Sequence, residues 1–265
     1  MSLQHLMGKV LRASLGAMPM EVRNHVFRIA SEYASRIERQ RFGLSSVDGA
    51  LAIVKENGFL PSAIVDVGAY NGDWSRMVRP IFPNAPVVMI DCNPENDEAL
   101  RIAAQQIGAA RSFITLLGPD TREKVRLFQN GTGTSVLKEL TTFPTKQLEV
   151  SMTTLDTLLE AEHLESPLLL KLDVQGFELE VLRGARNTLN KAELVLLEVS
   201  ALPFNEGAPL VVDVVDFMAS AGFVAFDLCG HVRRQSDSAL LQMDTLFARA
   251  GSDLRRPRKF FLVEP

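Results

Sequence analysis

Ile64-Val65-Asp66-Val67-Gly68-Ala69-Tyr70-Asn71-Gly72-Asp73-Trp74 is the stretch that decides the fold. A short apolar run carrying one acid leads into a glycine-rich turn, and a helical pattern begins at Asp73. An apolar run bounded by turn residues reads as a buried strand of a parallel sheet. Gly68 and Gly72 allow a sharp turn and a close approach of backbone to a ligand. Asp73 suits the positive end of a helix dipole. This strand-turn-helix predicts a nucleotide-sized crevice at the carboxyl end of the first sheet strand.

The glycine spacing narrows the ligand. A dinucleotide fingerprint is G-x-G-x-x-G, whose central glycine lets backbone meet pyrophosphate. Here the pattern is Asp-x-Gly-x-x-x-Gly, and Tyr70 stands where the central glycine would be. That disfavours a nicotinamide dinucleotide and favours a ligand without pyrophosphate, such as S-adenosylmethionine. A tight strand-to-helix turn with no ligand is the plain structural alternative. The next apolar run, residues 86–90, ends at Asp91, 19 residues beyond Gly72. About 20 residues is the separation at which a nucleotide-binding fold places its ribose-binding acid. Cys92 follows that acid, and a third strand over 111–117 brings Leu117 to the adenine side.

Further along, β and α patterns alternate. Residues 47–54 form a short helix stopped by Asn57-Gly58, and 124–128 read as a strand. Asn130-Gly131-Thr132-Gly133-Thr134-Ser135 is a polar loop, read either as a flexible turn or as a ligand loop. Residues 168–172 make a fourth sheet strand ending at Asp173, with Glu178 in the first turn of the helix after it. Residues 194–197 make a fifth, ending at Glu198, and two last strands over 223–228 and 241–248 enclose a loop with His231, Arg233 and Arg234. Asp66, Asp91, Asp173 and Glu198 thus gather at the strand ends where such sheets bind ligands. The pattern predicts an α/β fold with a mostly parallel sheet and one antiparallel edge strand.

At 265 residues and 46% hydrophobic, the chain suits one large domain with an extension. We expect a helical extension over 1–60, a ligand-binding domain over 61–250 and a tail over 251–265. A net charge of −4 argues against a dedicated nucleic-acid binder. No apolar run is long enough to span a membrane, no signal-peptide core precedes the domain, and Cys92 and Cys229 form no CxxC pair. These features point to the cytoplasm, with both thiols structural. Residues 1–41 hold seven basic side chains against three acids, on an amphipathic helix running from near Pro19 to before Gly43. That is either a solvated helix face or a surface for dimerisation or peripheral membrane contact.

Over about residues 62–250 the chain resembles the FkbM-type S-adenosylmethionine-dependent methyltransferases. The marks are Val65-Asp66-Val67-Gly68-Ala69 with Gly72, Thr154-Leu155-Asp156, and Lys171-Leu172-Asp173-Val174-Gln175-Gly176-Phe177-Glu178. Leu182-Arg183-Gly184-Ala185, Glu198 and Gln242-x-Asp244 complete them. The family often has Asn at the place of Tyr70 and Glu at the place of Gln175. The resemblance implies a Rossmann-like class I methyltransferase with a seven-stranded sheet. It also implies methyl transfer to an oxygen, commonly a sugar hydroxyl in glycan or natural-product biosynthesis. Asp66, Gly68, Ala69, Tyr70, Asn71, Gly72, Asp91, Cys92, Leu117 and Asp173 are the expected cofactor residues. Asp173 is the first candidate for the base that takes the hydroxyl proton, with Glu178, Glu198 and His231 as the others. The resemblance permits Mg²⁺, but Asp173 and Glu198 are too few ligands for a metal site to be assigned. A Rossmann oxidoreductase using NAD and a binding module that has lost catalysis are the alternative readings.

Overall fold

The computed structural model describes residues 46–140 and 145–256. The amphipathic helix expected over 19–43 and the tail from residue 257 on lie outside the described residues. The first described helix, α1 (Val47–Glu56), buries Ala50, Leu51 and Val54. It contributes to the domain core, although the sequence reading assigned this stretch to an extension.

Two strands of pure burial form the centre. β1 (Ala63–Val67) and, much later, β7 (Leu168–Leu172) are buried at every position, because helices cover both faces of a parallel sheet. They pair in parallel, Val65 opposite Leu170 and Asp66 opposite Lys171. β2 (Val87–Asp91) and β3 (Ala110–Ile114) extend the sheet on one side. On the other lie β8 (Ala192–Ser200), β10 (Leu240–Arg249) and β9 (Phe223–Arg233), giving the order β3-β2-β1-β7-β8-β10-β9. The antiparallel edge takes the form of a hairpin. β10 runs antiparallel to both neighbours, one place in from the outermost strand β9.

The two-residue period of the strands divides the core. Ala63, Val65, Val67, Leu168 and Leu170 face one layer, with Leu179, Leu182, Leu189 and Met218. Those come from α5 (Glu178–Arg183), α6 (Arg186–Lys191) and α7 (Val211–Ser220). Ile64, Leu169 and Leu194 face the other layer, with α1, α2 (Asp73–Val78) and α3 (Asp97–Ile107). Asp66 and Lys171 fall on this second face by the same period.

The strand expected over 111–117 is broken. It ends at Ile114, and Leu116–Leu117 (β4) joins a separate sheet with β5 (Arg122–Gln129) and β6 (Lys146–Thr153), in the order β4-β6-β5. Leu116, Leu127 and Met152 form its small core. β6, of sequence KQLEVSMT, is absent from the sequence reading because its polar residues outnumber the apolar ones.

The Thr154-Leu155-Asp156 and Gly184-Ala185 motifs are joints of this scaffold. Thr154 caps α4 (Leu155–Leu159), its Oγ1 accepting the N–H of Thr157 at 3.1 Å. The Asp156 carboxylate accepts the N–H groups of Asn187 and Thr188, both at 2.8 Å, at the start of α6. A Cβ at Gly184 would stand 2.2 Å from the Gly118 carbonyl oxygen, so only glycine lets these segments meet. Among the described residues, no helix is long and apolar enough to cross a membrane.

Candidate active site

The turn after β1 rests directly on the turn after β7. Gly68 has φ +76°, and a Cβ there would stand 1.8 Å from the Asp173 carbonyl oxygen. Tyr70 adopts φ +51°, a left-handed backbone uncommon for a residue with a side chain. Its N–H donates to Asp91 Oδ2 at 2.8 Å, which ties the first turn to the end of β2. Asp91 Oδ1 accepts the Asn93 N–H at 2.8 Å and Asn96 Nδ2 at 2.9 Å. A carboxylate has about four lone-pair positions, so one acceptor position stays available to a ligand hydroxyl.

A cavity of about 780 Å³ opens over these strand ends, inside the range of about 300–1,000 Å³ typical of small-molecule sites. Gly68, Ala69, Tyr70, Asn71, Asp91, Cys92, Leu117 and Asp173 of the expected cofactor residues all line it. Asp66 and Gly72 do not. Asp66 is fully buried beneath the turn, pairing with Lys171 Nζ at 3.0 Å and accepting the Ser75 hydroxyl at 2.7 Å. It lies inside β1 rather than at its end, because the strand runs on to Val67. Gly72 is where α2 meets α3: a Cβ there would stand 2.5 Å from Ala103 Cβ. Burial, then the charge of Asp91, pushes the Cys92 thiol up to about 12, so it forms neutral wall.

The four expected catalytic candidates separate. Asp173 and Glu198 line the cavity. Glu178 lies under it, 3% exposed, accepting the N–H groups of Val174 at 2.9 Å and Gly176 at 3.2 Å. Burial pushes its carboxyl up to about 7, and the N–H donors partly offset that. His231 is on strand β9, exposed and opposite Met243, away from the cavity wall. The strands of the final hairpin are longer than the sequence suggested, so the expected loop holding His231 and Arg233 is strand.

At the far end the acids are joined by amides. Gln175 Nε2 donates to Asp173 Oδ1 at 2.9 Å and to Glu198 Oε2 at 3.1 Å, and Gln242 Nε2 donates to Glu198 Oε2 at 2.7 Å. Burial, then the neighbouring Asp173, Glu178 and Asp244, pushes Glu198 up to about 9 against the opposing pull of Lys171. Burial works against the Lys171 ammonium, but Asp66 and Asp173 outweigh it and its pKa rises. Lys171 Nζ also donates to the Gly68 carbonyl at 3.0 Å and stands 3.8 Å from Asp173 Oδ2. Sequence reasoning gave no part to Lys171 or the two glutamines, although all three stand in its motifs. Gln175 and Glu198 meet only because β7 and β8 are neighbours.

The polar loop expected over 130–135 forms the opposite wall. Asn130 Nδ2 donates to Glu139 Oε2 at 2.8 Å, and the Ser135 hydroxyl donates to the carbonyl oxygens of Gln175 at 3.1 Å and Val174 at 3.3 Å. These bonds clasp the loop to the turn that carries Asp173. Among the described residues, no three His, Cys, Asp or Glu side chains gather as a metal ion requires. Asp173 and Glu198 are the two wall carboxylates nearest that role.

The chain is similar to several solved structures, all at low identity. The FkbM methyltransferase of Methylobacillus flagellatus KT is 15% identical with a TM-score of 0.44, covering 69% of this chain. This chain spans 43% of that one. The precorrin-6y C5,15-methyltransferase of Geobacter metallireducens GS-15 is 10% identical at a TM-score of 0.41, covering 76% of this chain and 86% of its own. TrmK of M. capricolum, solved with S-adenosyl-homocysteine, is 8% identical at a TM-score of 0.42, covering 78% of this chain and 69% of its own. No curated protein matches the chain. The model of the methyltransferase FkbM domain matches residues 66–225, more than half of the chain. With a seven-stranded class I sheet and a cavity at its carboxyl edge, the chain belongs to the FkbM family of S-adenosylmethionine-dependent methyltransferases.

Proposed function

We propose that the protein methylates a sugar hydroxyl, in glycan or natural-product biosynthesis. The observation that carries this reading is the position of Asp173. Its side chain is 38% exposed on the cavity wall, at the end of the central strand β7. S-adenosylmethionine, when bound, supplies an electrophilic methyl group on a cationic sulfur. The residues fit that group: Asp91 has an acceptor position for a ribose hydroxyl, and Cys92 and Leu117 offer a neutral, largely apolar wall to a base.

A sugar hydroxyl is a weak nucleophile and gains from a base that takes its proton during attack. Asp173 would accept that proton, and the Lys171 ammonium stands 3.8 Å from its Oδ2. Displacement at a methyl carbon is in-line, so the wall's other task is to hold the hydroxyl in position. Asn130, Glu139, Gln242 and Glu198 offer mostly acceptor atoms, which suit a ligand rich in hydroxyl groups. Among the described lining residues stand four acids besides the proton-holding Glu198 (Asp73, Asp91, Glu139, Asp173) and one cation, Lys171, held by Asp66. That balance suits a cationic donor and an uncharged acceptor.

Calorimetric titration with S-adenosylhomocysteine tests the cofactor end. Micromolar binding is expected, weakened about 10–100-fold in Asp91→Ala, as loss of a charge-assisted hydrogen bond predicts. Incubation of glycan intermediates with labelled S-adenosylmethionine, followed by mass analysis of the product, tests the acceptor end. No binding to either protein would sink the cofactor assignment. Methyl transfer to nitrogen or carbon would sink the sugar-hydroxyl reading alone.

A further inference from the structure

Among the described residues, the aromatic side chains that line the cavity are Tyr70, Trp74, Phe177 and Phe204. The first three have evident duties in the fold. Trp74 packs into the core layer that holds α1, α2 and α3, and Phe177 packs against both the opposite layer and the core of the small sheet. Tyr70 stands in the turn after β1, its N–H bound to Asp91. Phe204 belongs to none of the hydrophobic clusters formed by the described residues. It is a large apolar side chain that the fold leaves out of its packing, partly exposed on a wall rich in polar groups. Such a side chain on a cavity wall is available to a ligand.

Its place in the fold says which end of the cavity it serves. Phe204 stands in the connection from β8 to α7, just beyond Glu198 and the end of β8 at Ser200. In the sheet, β8 lies on the far side of β7 from β1 and β2, and β2 carries Asp91. Phe204 therefore belongs with Glu198 and Gln242 rather than with the ribose-binding acid. The backbone there is pinned. The Phe204 carbonyl accepts the Leu140 N–H at 2.8 Å, and the Glu206 N–H donates to the Lys138 carbonyl at 2.8 Å, which ties the connection to the loop over 130–139. Gly176 completes the seat: its φ is +91°, and a Cβ there would stand 2.6 Å from Ala208 Cβ. Only over a glycine can the connection lie this close to the turn after β7. A side chain on so fixed a backbone can select a ligand by shape.

A cyclic sugar has two kinds of surface. Its hydroxyls spread around the rim, and its C–H groups gather on the faces of the ring. An aromatic face carries the negative part of the ring quadrupole and attracts such hydrogens. Asn130, Glu139, Glu198 and Gln242 on the same cavity wall offer polar atoms for the rim. We propose that Phe204 is a specificity-determining residue, the platform on which the C–H face of the acceptor lies, so that the acceptor is a cyclic sugar with one unhindered apolar face. The inference rests on the sugar-hydroxyl reading. It adds a requirement on the acceptor's shape that the hydroxyl chemistry alone does not impose.

The chain's single tryptophan, Trp74, lines the cavity, so its fluorescence can follow glycoside binding without turnover. The probes are methyl pyranosides bearing free hydroxyls, titrated in the presence of S-adenosylhomocysteine. Phe204→Ala is expected to weaken their binding about tenfold, and Phe204→Tyr, which keeps the ring, to stay within about twofold of the native protein. Turnover with labelled S-adenosylmethionine should divide the same way. KM for the glycoside rises in Phe204→Ala while kcat stays nearly unchanged, because a platform serves ground state and transition state alike. Calorimetric affinity for S-adenosylhomocysteine should remain within about twofold in both variants. Glycoside affinity untouched by Phe204→Ala, or a loss that Phe204→Tyr shares, would overturn the inference and leave the sugar-hydroxyl reading standing. A matching loss of S-adenosylhomocysteine affinity in Phe204→Ala would overturn it as well, by moving the ring to the cofactor. A native protein that neither binds nor methylates any of the pyranosides would sink the sugar-hydroxyl reading, and the inference with it.

Discussion

The two ends of the cavity use the same residue type in opposite ways. At the proposed cofactor end, Asp91 accepts three hydrogen bonds, from the N–H groups of Tyr70 and Asn93 and the amide of Asn96. Those donors fix its direction. At the proposed acceptor end, Asp173, Glu198 and Asp244 crowd one another, and burial with like charge pushes Glu198 up to about 9 and Asp244 up to about 6. Hydrogen-bond donors thus make an acid a binding device, whereas burial and acidic neighbours make acids such as Glu198 and Asp244 keep their protons to higher pH. The proposed reaction uses both, one acid to hold a ribose and one to receive a hydroxyl proton.

The largest effect that would sharpen this contrast is in Asp173→Asn. It is expected to lower kcat/KM by about 10²–10⁴-fold, with S-adenosylhomocysteine affinity almost unchanged by calorimetry. A tenfold loss of cofactor affinity would instead make Asp173 part of the cofactor end and break the comparison. Gly68→Ala should disturb both ends, since Gly68 is where the two turns touch. The added methyl and the left-handed backbone together should cost about 2–3 kcal/mol, a fall of about 5–10 °C in thermal midpoint. A midpoint within about 1 °C of native would show that the turns separate freely.

The smallest effect concerns pH and stability. Glu198 holds a proton in the native state that the unfolded chain releases from its ordinary value of 4.5. Its stabilising contribution is therefore complete below that pH and lost as pH rises through about 9. Glu178 and Asp244 act in the same sense, up to about 7 and about 6. Glu198→Gln should remove one proton's share of this decline across the whole window and leave stability nearly flat above about pH 7, where Glu198 alone of the three acids still titrates, a difference on the order of 1 kcal/mol. A decline as steep as that of the native protein would place the titrating acid elsewhere.

How much of this was legible along the chain follows from distance in sequence. The turn from Gly68 to Gly72 and the acid at Asp91 were readable because both obey short-range rules of spacing. Buried runs such as 168–172 were readable because a strand covered on both faces is apolar throughout. β6 escaped because a half-exposed strand in a three-stranded sheet keeps its polar residues. Asp66 and Glu198 were read as strand ends, yet their strands continue to Val67 and Ser200. His231 was given a loop and belongs to a strand, since a hairpin's length depends on the partner that pairs with it.

Local order was therefore enough to establish the α/β alternation, the turn from Gly68 to Gly72 and the acid that bonds to it at the end of β2. Those features depend on backbone preferences over a few residues, and such preferences are written in adjacent positions. The union of Asp173, Gln175, Glu198 and Gln242, and the strap that closes over them from 130–139, belong to the tertiary structure. Their hydrogen bonds join residues up to 44 positions apart, and only the order of strands in the sheet brings such residues within reach. The charge states that follow are a property of that assembly, because burial and neighbouring charge act through space and not along the chain.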